Sequence, residues 1–238
     1  SGDVPRMAVL GGHWIAAAVG GGLGSVARYL LQGWVQRRAD HLHGRAEVFP
    51  WGTLEGQPLW YAPDPRMVLF PEEFKVSRSL ARTLRSGRFD IRFDTDFAGV
   101  VAGCAHTPRP GQGGTWITPE MIDAYGRLHE LGWAHSVEAY GEGGLVGGLY
   151  GLAIGGMFYG ESMFSRRSDA SKAAFAILVH HLREQGTRLI DCQMHTHHLA
   201  SLGARPIPRA EFLHRLEHLI LEPGRRGPWS APANPYVR

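Results

Sequence analysis

One stretch in the middle of the chain constrains the fold more than any other. Ser136–Ala139 and Leu145–Ala153 are apolar runs joined across Gly141-Glu142-Gly143-Gly144. Two such runs flanking a Gly-rich turn predict an antiparallel hairpin. On both sides of it, helix patterns alternate with strand patterns. Met67–Phe70 and Ile91–Phe93 read as strands, and Ser77–Ser86 and Ala98–Ala105 as helices. Pro119–Leu131 carries the fullest helix signals: Thr118 as N-cap, Pro119 in the first turn, Gly132 closing the end. Ser171–Gln185 is a helix ended by Gly186, Leu189–Met194 a strand and Ala210–Leu221 a final helix. Helices and strands in alternation, with a hairpin inserted, predict an α/β fold: a central mixed sheet covered by helices.

The flanks are less legible. Within the first 48 residues, Ser25–Gln36 is a short helix candidate with Ser25 as N-cap. Met7–Ala27 lacks Lys, Arg, Asp and Glu, which raises a membrane span or a signal peptide. Six glycines and His13 thin its apolar content, so a packed, Gly-interrupted start is the reading adopted. Phe49-Pro50-Trp51-Gly52 opens a segment of turns, and Leu59-Trp60-Tyr61 is an apolar run closed by Pro63-Asp64-Pro65. After Pro223 the chain is rich in Pro, Gly and Arg and is expected to be loose.

The 238 residues carry a net charge of +3, too mild to establish a nucleic-acid partner. The kind of charge says more. Only Lys75 and Lys172 are lysines, so 23 of the 25 basic residues are arginines, whose planar forks suit phosphate oxygens. Cys104 and Cys192, far apart, form neither a disulfide framework nor a zinc pattern, and fit a reducing cytoplasm.

Four groups of residues carry candidate chemistry. In Leu189-Ile190-Asp191-Cys192-Gln193-Met194, strand alternation puts Asp191 and Gln193 on one face. An acid and an amide in an apolar strand need partners, whether backbone, an arginine, or a substrate amine or ester. Glu161 sits in the apolar run Phe158–Phe164, where a carboxylate can hold a cation, act as a base, or pair with Arg166 or Arg167. Lys75, Arg78, Arg82 and Arg85 fall at helical spacing and make a basic stripe, suited to a phosphate backbone or simply solvated. His195, His197 and His198 crowd together, but neighbours so close rarely give metal geometry. No Walker loop or dinucleotide fingerprint is present.

An ordered set of short motifs then stands out. It comprises Phe49-Pro50-Trp51, Trp60–Arg66, Gly114–Thr118, Ala134-His135-Ser136-Val137-Glu138, Leu145–Gly151, Gly160–Ser165, Asp191-Cys192-Gln193 and Ala200–Ala204. In order and spacing the set resembles the bacterial leucyl/phenylalanyl-tRNA–protein transferases, from about Phe49 to Leu216. The resemblance implies a small N-terminal domain over 1–66, a GNAT-like acyltransferase domain over 67–222 and a tail over 223–238. It implies transfer of Leu, Phe or Met from aminoacyl-tRNA to proteins with N-terminal Arg or Lys, marking them for regulated degradation in the cytoplasm. It implies no metal, no acetyl-CoA, no other cofactor and no membrane. The first 48 residues depart from the family's pattern: Leu10-Gly11-Gly12-His13 only approximates its Gly-Gly-Asp stretch.

Residue by residue, the resemblance assigns Asp191 and Gln193 to the active-site acid and amide and Glu161 to the cationic acceptor terminus. It assigns Leu149, Phe158, Met163 and Leu178 to the pocket for the aminoacyl side chain. It places Trp51 and Trp116 near the terminal adenosine of the tRNA. Two alternatives remain at this stage. One is a related tRNA-dependent transferase of different specificity. The other is a binding protein that sequesters aminoacyl-tRNA and needs neither Asp191 nor Gln193.

Overall fold

A computed structural model describes residues 49–54, 57–107, 115 and 117–237, with side chains from Ala62 onward. The helix expected over 25–36, Trp116 and the side chain of Trp51 lie outside the described residues. β1 (Phe49–Leu54) and β2 (Gln57–Tyr61) pair as an antiparallel hairpin of their own. The remaining strands are β3 (Arg66–Leu69), β4 (Asp90–Phe93), β5 (Ala134–Gly141), β6 (Gly144–Ile154), β7 (Met157–Ser165), β8 (Leu189–Gln193) and β9 (Arg205–Ile207). They form one seven-stranded sheet in the order β4-β5-β6-β7-β8-β3-β9. Only β7 and β8 run parallel, so the sheet is mixed, as the inserted hairpin predicts.

The hairpin falls where its glycines put it. Gly141 pairs with Gly144, and Gly143 and Gly144 take φ of +92° and +102°, a region that other residues enter at a cost. Among the described residues six α-helices accompany the strands: α1 (Arg78–Arg85), α2 (Phe97–His106), α3 (Pro119–Glu130), α4 (Ala170–Glu184), α5 (His197–Ser201) and α6 (Arg209–Leu219). Their starts follow capping chemistry. Ser77 Oγ accepts from the Leu80 N–H, an Asp96 carboxylate oxygen from Gly99, and Thr118 Oγ1 from Met121.

The strands alternate between two cores. Met67, Leu149, Phe158 and Ile190 pack with α1 and α4, which contributes Ala174, Leu178 and Leu182. Val68, Tyr150, Tyr159 and Leu189 pack on the other face with Val100 of α2, Tyr125 of α3 and Phe212 of α6. A sheet covered on both faces explains why β7 has no alternating pattern: Met157, Phe158 and Tyr159 are all buried.

The segment after Pro223 is not loose. Trp229 is 7% exposed, and its backbone N–H donates to Asp94 Oδ2 at 2.7 Å. The Arg226 guanidinium lies 3.7 Å over the Trp133 ring. Asn234 donates to the Leu84 carbonyl, and Tyr236 packs on the α4 core. Composition suggests a free tail, but one large aromatic with a waiting carboxylate outweighs it. Among the described residues no helix is long and apolar enough to cross a membrane.

Candidate active site

The site grows from a single ion pair. β3 lies antiparallel to β8, with Val68 opposite Asp191 and Met67 opposite Gln193. This brings Arg66, at the head of β3, onto Asp191. Arg66 Nε donates to Asp191 Oδ1 at 2.9 Å and Nη2 to Oδ2 at 2.6 Å, with both side chains 1% exposed. It is the two-pronged geometry in which an arginine and a carboxylate bind most strongly. The guanidinium also lies 4.9 Å from the ring centroid of Phe212 in α6. Arg66 is thus a site residue that sequence reasoning missed.

The pair organises its neighbours. Asp191 Oδ1 accepts the Gln193 N–H at 2.9 Å. Gln193 sits at φ +64°, a left-handed conformation that a non-glycine residue holds only when its surroundings impose it. Gln193 Nε2 in turn donates to Glu161 Oε2 at 3.4 Å. Glu161 is placed by a bulge: Tyr150 pairs with Ser162 and Gly151 with Gly160, leaving Glu161 as the extra residue of β7. β7 and β8 are paired from Met157–Leu189 to Tyr159–Asp191 and no further. Gln193 and Glu161 therefore meet where the two parallel strands part, with both side chains largely buried.

The four expected pocket residues also come together, on the α4 face. Leu149 and Met163 are opposite each other on β6 and β7, Phe158 lies on β7, and Leu178 comes from α4. Leu149, Phe158 and Leu178 are buried and Met163 is partly so. Met163 also borders a groove of about 330 Å³ shared with Lys172 and His198.

The basic stripe is only partly as expected. Arg78, Arg82 and Arg85 are exposed on α1, and no carboxylate pairs with them among the described residues. Lys75 is exposed but is not on that helix. Ser77 caps the helix start, and the Lys75 N–H is tied to the Leu202 carbonyl instead. If the stripe holds a phosphate backbone, converting Arg78, Arg82 and Arg85 to Ala should weaken nucleic-acid binding. It should also shallow the plot of log affinity against log salt by roughly 0.7–0.9 for each phosphate no longer neutralised. An unchanged slope in a salt titration would show that the stripe is only solvated.

Two further acids with buried side chains were not among the expected site residues. Glu138 is fully buried and accepts from Ser136 Oγ and Thr95 Oγ1; burial raises its pKa above the usual carboxylate range. Asp94 accepts from His135 Nδ1 at 2.8 Å and from the Ser136 N–H at 2.8 Å, joining β4 to β5.

Comparison with known proteins assigns this chain first to a class: enzymes that transfer aminoacyl groups from tRNA to protein. Residues 68–217 match the family model described as leucyl/phenylalanyl-tRNA protein transferase. The enzyme of that name from Dechloromonas aromatica is 66% identical over 192 residues, 80% of this chain and 82% of that one. Its counterpart from Chromobacterium violaceum is 59% identical over 177 residues, 74% of this chain and 75% of that one. That from Solidesulfovibrio magneticus is 50% identical over 228 residues, 96% of this chain and 86% of that one. The chain belongs to the leucyl/phenylalanyl-tRNA–protein transferase family. The match to the Solidesulfovibrio protein also takes in most of the first 48 residues, the part that departs from the family's motifs. Among solved structures, L-PGS from Bacillus licheniformis covers 55% of this chain and 46% of its own at TM-score 0.39 and 13% identity, too distant to carry an argument.

Proposed function

We propose that this aminoacyltransferase moves Leu, Phe or Met from charged tRNA to the N-terminal Arg or Lys of acceptor proteins in the cytoplasm, marking them for degradation. The observation that carries the reading is the Arg66–Asp191–Gln193–Glu161 chain, set where β7 and β8 part and next to an apolar cluster. A GNAT-like domain over 67–222, behind a small N-terminal domain, is the architecture proposed with it.

The ester of an aminoacyl-tRNA is already activated, so no ATP is required. The acceptor's neutral α-amine attacks the ester carbonyl and forms a tetrahedral intermediate. Its collapse makes the amide and expels the ribose hydroxyl, which takes up the proton the amine gives away. Placing two large substrates in register supplies much of the rate, about 7–11 kcal/mol in favourable cases. Gln193, anchored by Asp191, aligns the ester or the attacking amine. Glu161 supplies negative charge toward the cationic acceptor terminus. Asp191, with both oxygens engaged by Arg66, acts on the substrate through Gln193 rather than by contact. Leu149, Phe158, Met163 and Leu178 receive the aminoacyl side chain, and Trp51 and Trp116 stack on the terminal adenosine, worth about 1–3 kcal/mol per base.

The test is incubation with tRNA carrying labelled Phe and a peptide that begins with Arg, followed by mass analysis. The expected product is the peptide extended by one Phe. Binding of the tRNA without extension would indicate a sequestering protein, and extension only of peptides with other N-termini would indicate different acceptor specificity.

A further inference from the structure

The C-terminal segment reaches the proposed aminoacyl pocket. Its Trp229 indole stacks on His135, with ring centroids 3.6 Å apart and planes 5° from parallel. The same indole lies 6.2 Å from the Phe158 ring, 6.4 Å from Phe93 and 4.9 Å from His181. Below it the sheet forms one layer. His135 on β5 is opposite Gly151 on β6, and the Phe158 ring occupies the space a side chain at Gly151 would fill. A Cβ built at Gly151 would lie 2.5 Å from Phe158 Cζ. Phe158 is therefore seated over a glycine and closed in by Trp229.

We infer that Trp229 is a positioning residue that sets the depth of the aminoacyl pocket by holding Phe158 over Gly151. The inference rests on the pocket assignment proposed above. Three features support it. The Trp229 backbone is pinned by Asp94, the carboxylate that also holds His135. The segment is tied again beyond the indole, where Asn234 bonds Leu84 of α1. And the ring packs against a pocket wall rather than on an outlying surface. Removing the indole gives the Phe158 ring room to swing away from Leu149 and Leu178. The pocket deepens, and the gain goes to Phe, the largest of the proposed side chains.

The experiment measures kcat/KM for Phe-tRNA and for Leu-tRNA with one Arg-peptide, in the full chain and in Trp229→Leu, Trp229→Phe and Phe158→Leu. A loss of folded enzyme lowers both values together, so the Phe-to-Leu ratio reports the pocket alone. Trp229→Leu should raise that ratio about 3- to 10-fold, up to the low end of the roughly 10- to 200-fold that one methylene commands in an apolar pocket, because the indole acts on the side chain only through Phe158. Trp229→Phe should shift it less, in the same direction, and it serves as the readout if Trp229→Leu does not fold. An unchanged ratio in the Trp229 variants, with a shifted ratio in Phe158→Leu, overturns the inference and leaves the pocket standing. An unchanged ratio in all three removes the pocket assignment and the inference together.

Discussion

Replacing Arg66 by Met should cost about 3–5 kcal/mol of folding stability, because it leaves the buried Asp191 carboxylate without its cation, with only the Gln193 N–H among the described residues still bonded to it. Transfer should fall with it by at least two orders of magnitude. The informative variant is the double replacement Arg66→Met with Asp191→Leu. A buried ion pair exchanged whole for apolar residues of similar volume is often neutral or stabilising, so most of the lost stability should return. Transfer should not. Without Asp191 Oδ1, the Gln193 N–H loses its acceptor, and the left-handed bend that aims the Gln193 side chain at Glu161 loses its support. Stability is read from urea melts, and transfer from single-turnover formation of Phe-peptide. A double variant that recovers both would mean that the pair serves folding only, and that Asp191 has no part in aligning Gln193.

Why Arg66 escaped the sequence reading is instructive. In Pro63-Asp64-Pro65-Arg66 it reads as the end of a turn. Yet it opens Arg66-Met67-Val68-Leu69, a run in which all four residues prove to be buried. A guanidinium heading a fully buried strand has to find a carboxylate. Asp191 is an acid inside β8, a strand buried at every residue but Cys192, and the structure pairs the two. The signal was present in the two strands taken together and in neither alone.

Elsewhere legibility followed the physics of each segment. The helix at Pro119–Glu130 and the hairpin at Gly141–Gly144 are specified by local chemistry, an N-cap, a helix-opening proline and left-handed glycines, and they lie within a residue or two of where that chemistry puts them. β7, β9 and α5 were not legible as elements. β7 is covered on both faces and has no alternation, while β9 and α5 span three and five residues, too short for any period to show. The docking of Trp229 depends on Asp94, 135 positions away, so no local pattern in a Pro- and Gly-rich tail could announce it. Lys75 shows the opposite failure. Its spacing from Arg78 fits a helix, but Ser77 satisfies the Leu80 N–H and starts the helix only afterward.

The remaining large effect concerns which amino acid is transferred. Leu149, Phe158, Met163 and Leu178 are apolar, unbranched at Cβ and packed in one cluster under α4. Phe158 and Leu178 are at most 1% exposed, so water has little access to this cluster, which the proposed function makes the aminoacyl pocket. An aspartyl side chain entering it would have no cation to meet and would surrender hydration worth several kcal/mol. Transfer from Asp-tRNA should therefore run about a thousandfold or more below transfer from Leu-tRNA, since each 1.36 kcal/mol is tenfold in rate. Ile and Val should be refused less sharply. They differ from Leu by the placement or loss of a methyl group, and apolar pockets discriminate such differences by only about 1–3 kcal/mol. The measurement is competition among tRNAs charged with Leu, Phe, Met, Ile and Asp for a single Arg-peptide, with products resolved by mass. Leu, Phe and Met products should dominate, Ile should trail, and Asp should be absent. Comparable Leu and Asp products would place the aminoacyl side chain outside this cluster, in contact with water or with a cation, and the substrate half of the proposed function would go with the pocket.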